Sequence, residues 1–162
     1  MPRENSIVVR LATPDDVDQL ADLRWRLQTD DAEMVDIEKR NRFVTEFANS
    51  VLTRLRDESL IHWVAESEGR IVAVMSVGKV RKVPSPNSIS RHWGYLTNCY
   101  TLPEYRNTGI GSRLMSAVRD WATTQMYEFL AVWPSVRSYP FYERSGFHRY
   151  ADPLILRIDD EQ

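Results

Sequence analysis

An α/β domain with a mixed central sheet flanked by helices, in the order β-α-α-β-β-β-α-β-α-β-β, is the fold class that the sequence predicts. Three observations carry it. The hydrophobic period turns from helical to extended near residue 60 and back to helical near residue 108. Ser67-Glu-Gly69 separates two apolar runs, the signature of an antiparallel hairpin. A glycine-bearing loop then leads from a strand into a helix that has to cross back to a further strand, so hairpins and helical crossovers share one sheet. At 162 residues the chain has room for one domain and not for two, so a single unit over 1–162 with its core at about 7–158 is expected.

The elements follow in order. Residues 7–11 are an apolar first strand, and Thr13-Pro-Asp-Asp16 starts a helix, with proline at the first helical position and acids at the positive end of the dipole. Val17, Leu20, Leu23 and Leu27 continue at helical spacing, and a second helix presents Phe43, Phe47, Val51 and Leu55. Residues 61–66 and 70–77 form the hairpin, residues 82–88 an exposed loop with two prolines, and residues 93–101 the next strand. A helix from residue 108 buries Ile110, Leu114, Val118 and Ala122, and residues 128–133 return to the sheet. A short helix stops at Gly146, and residues 147–150 and 154–158 are expected to close the sheet as a last pair of strands.

Composition removes several classes of function. The longest apolar stretch, residues 71–75, is far below the roughly 20 residues of a membrane span. The first residues contain no apolar signal core of adequate length, so cytoplasmic residence is the expectation, with no membrane partner. The single cysteine, Cys99, has no second thiol to pair with, and His62, His92 and His148 lack metal-ligand spacing, so neither a disulfide nor a metal is expected. A net charge of −2 provides no positive field for nucleic acid. Of the basic residues 18 are Arg, a bias that suits phosphate pairing and solvated helix faces equally.

The chemistry concentrates between residues 95 and 114, where strand, proline turn, glycine loop and helix follow one another. The first turn of a helix has N–H groups without internal partners, and with the dipole behind them they suit a phosphate or pyrophosphate. The glycines admit either a ligand close to the backbone or simple helix–strand packing. Gly111 is followed by Ser112-Arg113 and not by the Lys-Ser/Thr of a P-loop. Three positions beyond it stands Leu114, where a dinucleotide fingerprint needs a small residue.

Arg106-Asn-Thr-Gly-Ile-Gly111 resembles the Arg/Gln-x-x-Gly-x-Gly/Ala signature of the GCN5-related N-acetyltransferase (GNAT) superfamily, and it follows Thr101-Leu-Pro103, with Thr in place of the family's Val. Downstream, Phe141-Tyr-Glu-Arg-Ser-Gly-Phe147 is similar to the family's Leu-Tyr-Glu-Lys-x-Gly-Phe. The resemblance covers nearly the whole chain and implies an acetyl-CoA-dependent N-acetyltransferase acting on a primary amine of a small molecule or peptide. It implies a bulge that splays the fourth strand from the fifth, with Cys99, Tyr100 and Thr101 along the pantetheine arm. It places the amides of Asn107, Thr108, Gly109, Ile110, Gly111 and Ser112 on the pyrophosphate beside Arg106, and makes Tyr142 the general acid. A homodimer is a family-level expectation.

The sequence departs from that pattern at two further positions. Tyr95 stands where histone-type members carry a glutamate base, and Ser135 where many carry Asn. His92 is the remaining side-chain candidate for the base, with Glu66 and Glu33 behind it. Trp25, Trp93, Trp133 and Tyr139 are candidate walls of an acceptor pocket, and the acids Asp30, Asp31, Glu33 and Asp36 a candidate attractor for a cationic amine. Two other readings remain: a catalytically silent acetyl-CoA sensor, and an acyltransferase using a longer acyl chain or an alcohol acceptor.

Overall fold

The structure is a computed structural model that describes residues 7–30, 36–88, 91–150 and 153–158. Five strands form one sheet in the order β1 (Ile7–Leu11), β2 (Leu60–Ser67), β3 (Arg70–Arg81), β4 (His92–Thr101) and β5 (Leu130–Val132). The first four strands are antiparallel to their neighbours and β5 joins β4 in parallel. A turn suffices for an antiparallel pair, whereas the parallel pair requires a crossover, here α3 (Ile110–Thr124). The β2–β3 turn is Glu68-Gly69 with φ of 50° and 82°, the double left-handed geometry that matches strand twist.

Ahead of α1 (Val17–Gln28) the chain makes one tight turn at Pro14–Asp16. Arg10 on β1 fixes that turn, its Nη1 and Nη2 donating to Asp16 at 2.7 and 2.9 Å while Nε donates to Glu66 at 2.8 Å. The guanidinium holds the Asp16 carboxyl down at about 2, and Glu66, a candidate base, is committed to Arg10. Asp36 caps α2 (Ile37–Arg56) by accepting from the Lys39 N–H at 3.0 Å, so its carboxylate serves the helix rather than an amine. Asp31 and Glu33 lie outside the described residues.

On β3 the residues from Ile71 to Gly78 are all buried, and since alternate side chains point to opposite faces, both faces of the sheet are covered. Leu20, Leu23 and Val51 from α1 and α2 meet one face, and Leu114 and Val118 from α3 the other, around Val64, Val72, Val74 and Leu96. Gly109, at φ 81°, sets the start of α3 at Ile110, two residues later than the spacing predicts.

Two expected strands are absent. Residues 147–150 and 153–158 form no strand, while residues 151–152 lie outside the described set, so the sheet has five strands where the sequence predicts seven. The available edge is the reason: β5 is three residues long and runs into Pro134, which leaves little backbone for another strand to pair with. Leu154, Ile155, Leu156 and Ile158 are accordingly exposed.

His62 on β2 lies buried with its Nδ1 2.6 Å from Ser76 Oγ and its Nε2 without a partner among the described residues. Burial, with Arg54 nearby, pushes the imidazole from 6.5 down to about 4. The unfolded chain therefore takes up a proton that the folded protein refuses, and stability that is complete above pH 6.5 falls as the pH drops toward 4. The loss at the lower end is about 3 kcal/mol. The melting temperature should fall across this window and the fall should be shallower in His62→Asn; a wild-type melting temperature unchanged between pH 7 and pH 4.5 would contradict it.

Candidate functional site

Along β4 the pairing with β3 is interrupted. Val74 faces Tyr100 and Ser76 faces Thr97, so two steps on β3 oppose three on β4 and the extra residue belongs to β4. Asn98 within this bulge is left-handed, with φ 53°, a conformation that asparagine tolerates better than other side chains do. Its Nδ2 donates to Ser76 Oγ at 3.0 Å, and its Oδ1 accepts from Arg24 Nη1 at 3.5 Å. A chain of side chains, His62, Ser76, Asn98 and Arg24, thus runs from the buried face of β2 to α1.

The other edge of β4 is open. β5 pairs only with Gly94, Tyr95 and Leu96, so residues 97–101 have no strand partner on that side. Such an edge accepts an extended ligand as a sheet accepts another strand. Cys99, Tyr100 and Thr101 lie on it.

Beyond the open edge the chain turns at Pro103–Tyr105 and enters α3. Arg106 folds back, its Nε donating to the Thr101 carbonyl at 2.9 Å and its guanidinium 5.5 Å from the centre of the Tyr100 ring. Thr108 Oγ donates to the Tyr105 carbonyl at 2.6 Å. Asn107 and Gly109 are both left-handed, at φ 61° and 81°, and the first bond of the helix is Arg113 N–H to the Gly109 carbonyl at 3.1 Å. The amides before Arg113 precede the first intrahelical bond, at the positive end of a 15-residue helix, an arrangement suited to anions.

The two glycines have different tasks. A Cβ on Gly109 would meet nothing within 4 Å, so its need is the positive φ and the space in front of it stays free. A Cβ on Gly111 would lie 3.3 Å from the Phe141 ring, so this glycine lets α4 (Tyr139–Arg144) rest on α3. The packing reading of the motif holds at Gly111, while Gly109 leaves open space. Beside this contact Ser112, Ser116, Arg119, Phe141 and Arg144 line a cleft of about 190 Å³.

Packing α4 on α3 carries Tyr142 to the open edge. Its ring is buried edge-on between Phe141 and Phe147, at 5.2 and 5.5 Å, and its phenol lies close enough to Cys99 to feel it, while the thiol itself donates to the Thr97 carbonyl at 3.6 Å. Burial, then Cys99, pushes the phenol well above the usual tyrosine range, so it keeps its proton across physiological pH. Burial likewise pushes the thiol up to about 11, which makes Cys99 an unreactive neutral group.

The remaining candidates are dispersed. His92 sits at the start of β4, its Nε2 3.1 Å from the Gln125 carbonyl and its ring edge-on to Tyr127. Seven residues of strand separate it from Cys99, roughly 23 Å at strand rise. Trp93 stacks on Phe129, Trp25 leans on Phe43, and Tyr139 lies under the Arg149 guanidinium. Trp133 meets Tyr95 edge-on at 5.3 Å at the mouth between β4 and β5. Ser135 Oγ donates to Ser138 Oγ at 3.1 Å. Arg24, Ser76 and Asn98 are absent from the sequence reading, although an asparagine inside a β-rich run is itself a signal of a bulge.

Among the described residues no cluster of His, Cys, Asp and Glu could hold a metal ion, and no helix is long and apolar enough to cross a membrane. No curated protein matches this chain. Among solved structures it is similar to a predicted acetyltransferase from Clostridium acetobutylicum crystallised with acetyl-CoA, at 23% identity and TM-score 0.76 over 94% of this chain and 96% of that one. A GCN5-related N-acetyltransferase from Ralstonia eutropha gives 22% and 0.71 over 94% and 99%. Glucosamine-6-phosphate N-acetyltransferase from Arabidopsis thaliana gives 19% and 0.66 over 94% and 99%. At these identities the likeness is one of fold. The model of the acetyltransferase (GNAT) family matches residues 17–147, most of the length and both motifs, and the chain belongs to that family.

Proposed function

We propose that this protein is an acetyl-CoA-dependent N-acetyltransferase that transfers an acetyl group to a primary amine of a small molecule or peptide, with both substrates bound together. One observation carries the reading: the edge of β4 that β5 leaves open runs toward the first turn of α3, with the phenol of Tyr142 beside Cys99 on that edge. An extended arm with a diphosphate at its far end fits that arrangement, the arm on Cys99, Tyr100 and Thr101 and the diphosphate on the amides of residues 107–112 with Arg106 beside them. Arg119 and Arg144 in the adjoining cleft suit a further phosphate.

Acetyl-CoA supplies, when bound, an acetyl group already activated as a thioester. Direct transfer is favoured because the nearest protein nucleophile, Cys99, holds its proton up to about 11 and cannot carry the acetyl group at neutral pH. Backbone N–H groups of the bulged strand that alternate away from β3 can face a developing oxyanion. Tyr142 holds on its phenol oxygen the proton that a departing sulfur requires. The attacking amine has to lose a proton of ordinary pKa about 10.4. His92 stands too far along the strand to take it directly, so water in the open mouth is the proposed acceptor of that proton. Cytoplasmic residence accompanies the proposal, as does a homodimer, for which the exposed Leu154, Ile155, Leu156 and Ile158 are the motivating apolar surface.

Calorimetric titration with acetyl-CoA should show 1:1 binding, and thiol release over a panel of amines should reveal turnover; binding without turnover on any amine would leave the sensor, and absence of both would refute the reading. In Ser112→Asp an acid joins the first turn of α3, where it suits the helix dipole but opposes a diphosphate. The variant should fold as well as wild type and bind acetyl-CoA at least tenfold more weakly. Tyr142→Phe keeps the ring and removes the donor, so turnover should drop by about 10²–10⁴ with acetyl-CoA affinity retained. Turnover at the wild-type rate in that variant would take the proton from another source. Light scattering should give twice the monomer mass, and Leu154→Glu with Leu156→Glu should return it to the monomer.

A further inference from the structure

We infer that the acceptor amine carries an anionic group, a carboxylate or a phosphate, which Arg24 and Arg54 hold beside Tyr95 at the mouth between β4 and β5. The inference rests on the proposed acetyltransferase activity and adds the chemical class of the acceptor.

Arg24 projects from α1 and is partly buried, and its only hydrogen bond among the described residues is the 3.5 Å contact to Asn98 Oδ1. A guanidinium offers five N–H donors, and here nearly all of them are unused. Arg10, Arg26, Arg40, Arg70, Arg91 and Arg149, by comparison, each lie within ion-pair distance of a carboxylate. Asp22, two positions before Arg24, is already taken by Arg26 and Arg40. Loss of water around Arg24 disfavours its charge, the cost expected of a cation without a counter-ion.

Arg54 approaches the same place from α2. Its Nη2 lies 3.9 Å from the point that a Cβ on Gly78 would occupy, and the Tyr95 Cβ lies 3.8 Å from that point. Gly78 therefore leaves the floor of the sheet bare beneath a guanidinium. Arg54 Nε reaches only Ser59 Oγ, at 3.4 Å, and Asp57 at the end of α2 feels its charge from beyond ion-pair distance. His62, beside it on the sheet, is neutral. Arg54 thus lies near Tyr95, and Arg24 meets Asn98 three residues further along the same strand.

An anion is the ligand that this pair of cations selects, by a charge-assisted bond to Arg24 and by its replacement of lost hydration. The same charges repel an acceptor that brings extra ammonium groups, so polyamines and lysine-rich peptides are disfavoured. Through Asn98 Arg24 is tied to the bulge, so an anion on Arg24 sits at the thioester end of the open edge. The phosphates of acetyl-CoA belong at the opposite end, on α3.

The test uses pairs of amines that differ only in the anion: lysine with cadaverine, phenylalanine with phenethylamine, and phosphoethanolamine with ethanolamine. The first two pairs read a carboxylate and the third a phosphate. With acetyl-CoA in excess, kcat/KM should favour the anionic member of at least one pair by tenfold or more. Arg24→Gln should abolish that preference, Arg24→Lys should restore part of it, and Arg54→Gln should reduce it less. Calorimetry of the same amines with CoA present reads binding even where turnover is slow. Equal affinity for both members of every pair, preference for spermidine, or a preference that survives Arg24→Gln would overturn the inference. So would Arg24→Gln weakening acetyl-CoA itself. Failure to bind acetyl-CoA at all would instead strike the proposed function.

Discussion

Strand β4 has a partner on its outer side along only three residues, and the candidate site exists because the rest of that edge stays open. An open edge is a liability in a folded protein, since its N–H and C=O groups invite other strands. Here two local features maintain it. Pro134 follows β5 closely and takes away a donor, which keeps β5 short. The bulge at Asn98 rotates the strand, and the asparagine amide, bonded to Ser76, supplies from a side chain what the interrupted ladder leaves unmade between β3 and β4.

The two ends of the opening are built from different materials. At the α3 end the groups are main-chain amides, oriented by left-handed Asn107 and Gly109 and nearly indifferent to side-chain identity. Thr101 can therefore replace the family's valine without altering that end. At the Tyr142 end the group is one phenol on a six-residue helix whose position depends on Gly111 admitting Phe141. In the proposed reading α3 acts twice, offering its first turn to an anion and serving as the platform on which α4 carries the phenol to Cys99. A larger residue at position 111 would disturb the second role before the first.

Local signals made the hairpin, the α3 junction and Tyr142 legible. Glu68-Gly69, the glycine motif and the tyrosine motif each state a geometry within a few residues. The last two strands were misjudged because their apolar residues satisfy a strand's composition while the partner they need, a long outer edge, is a tertiary property. His92 reads as a base from its residue type alone, yet strand geometry carries it to the far end of β4, a distance that proximity in the sequence to residues 95–101 conceals. Arg24 escaped notice for the opposite reason. Among 18 arginines nothing in the sequence marks Arg24, and only its contact with Asn98 in the bulge singles it out.

The guanidiniums beside Tyr95 also bear on how an amine becomes reactive in a site without a carboxylate base at that position. A carboxylate would accept the ammonium proton, and it would also stabilise the ammonium that has to disappear. A nearby cation acts on the other side of the equilibrium: it raises the energy of the ammonium and leaves the free amine untouched, so the amine's pKa falls. Each unit of fall is worth about 1.4 kcal/mol and raises the reactive fraction about tenfold while the amine remains mostly protonated. An acceptor with its own anion returns part of that gain by neutralising Arg24, yet the anion is what brings the amine within range of the field. Binding and deprotonation therefore draw on the same charge in opposite directions. The second guanidinium, Arg54, reconciles them, because one anion spread between two cations leaves a net positive charge facing the amine.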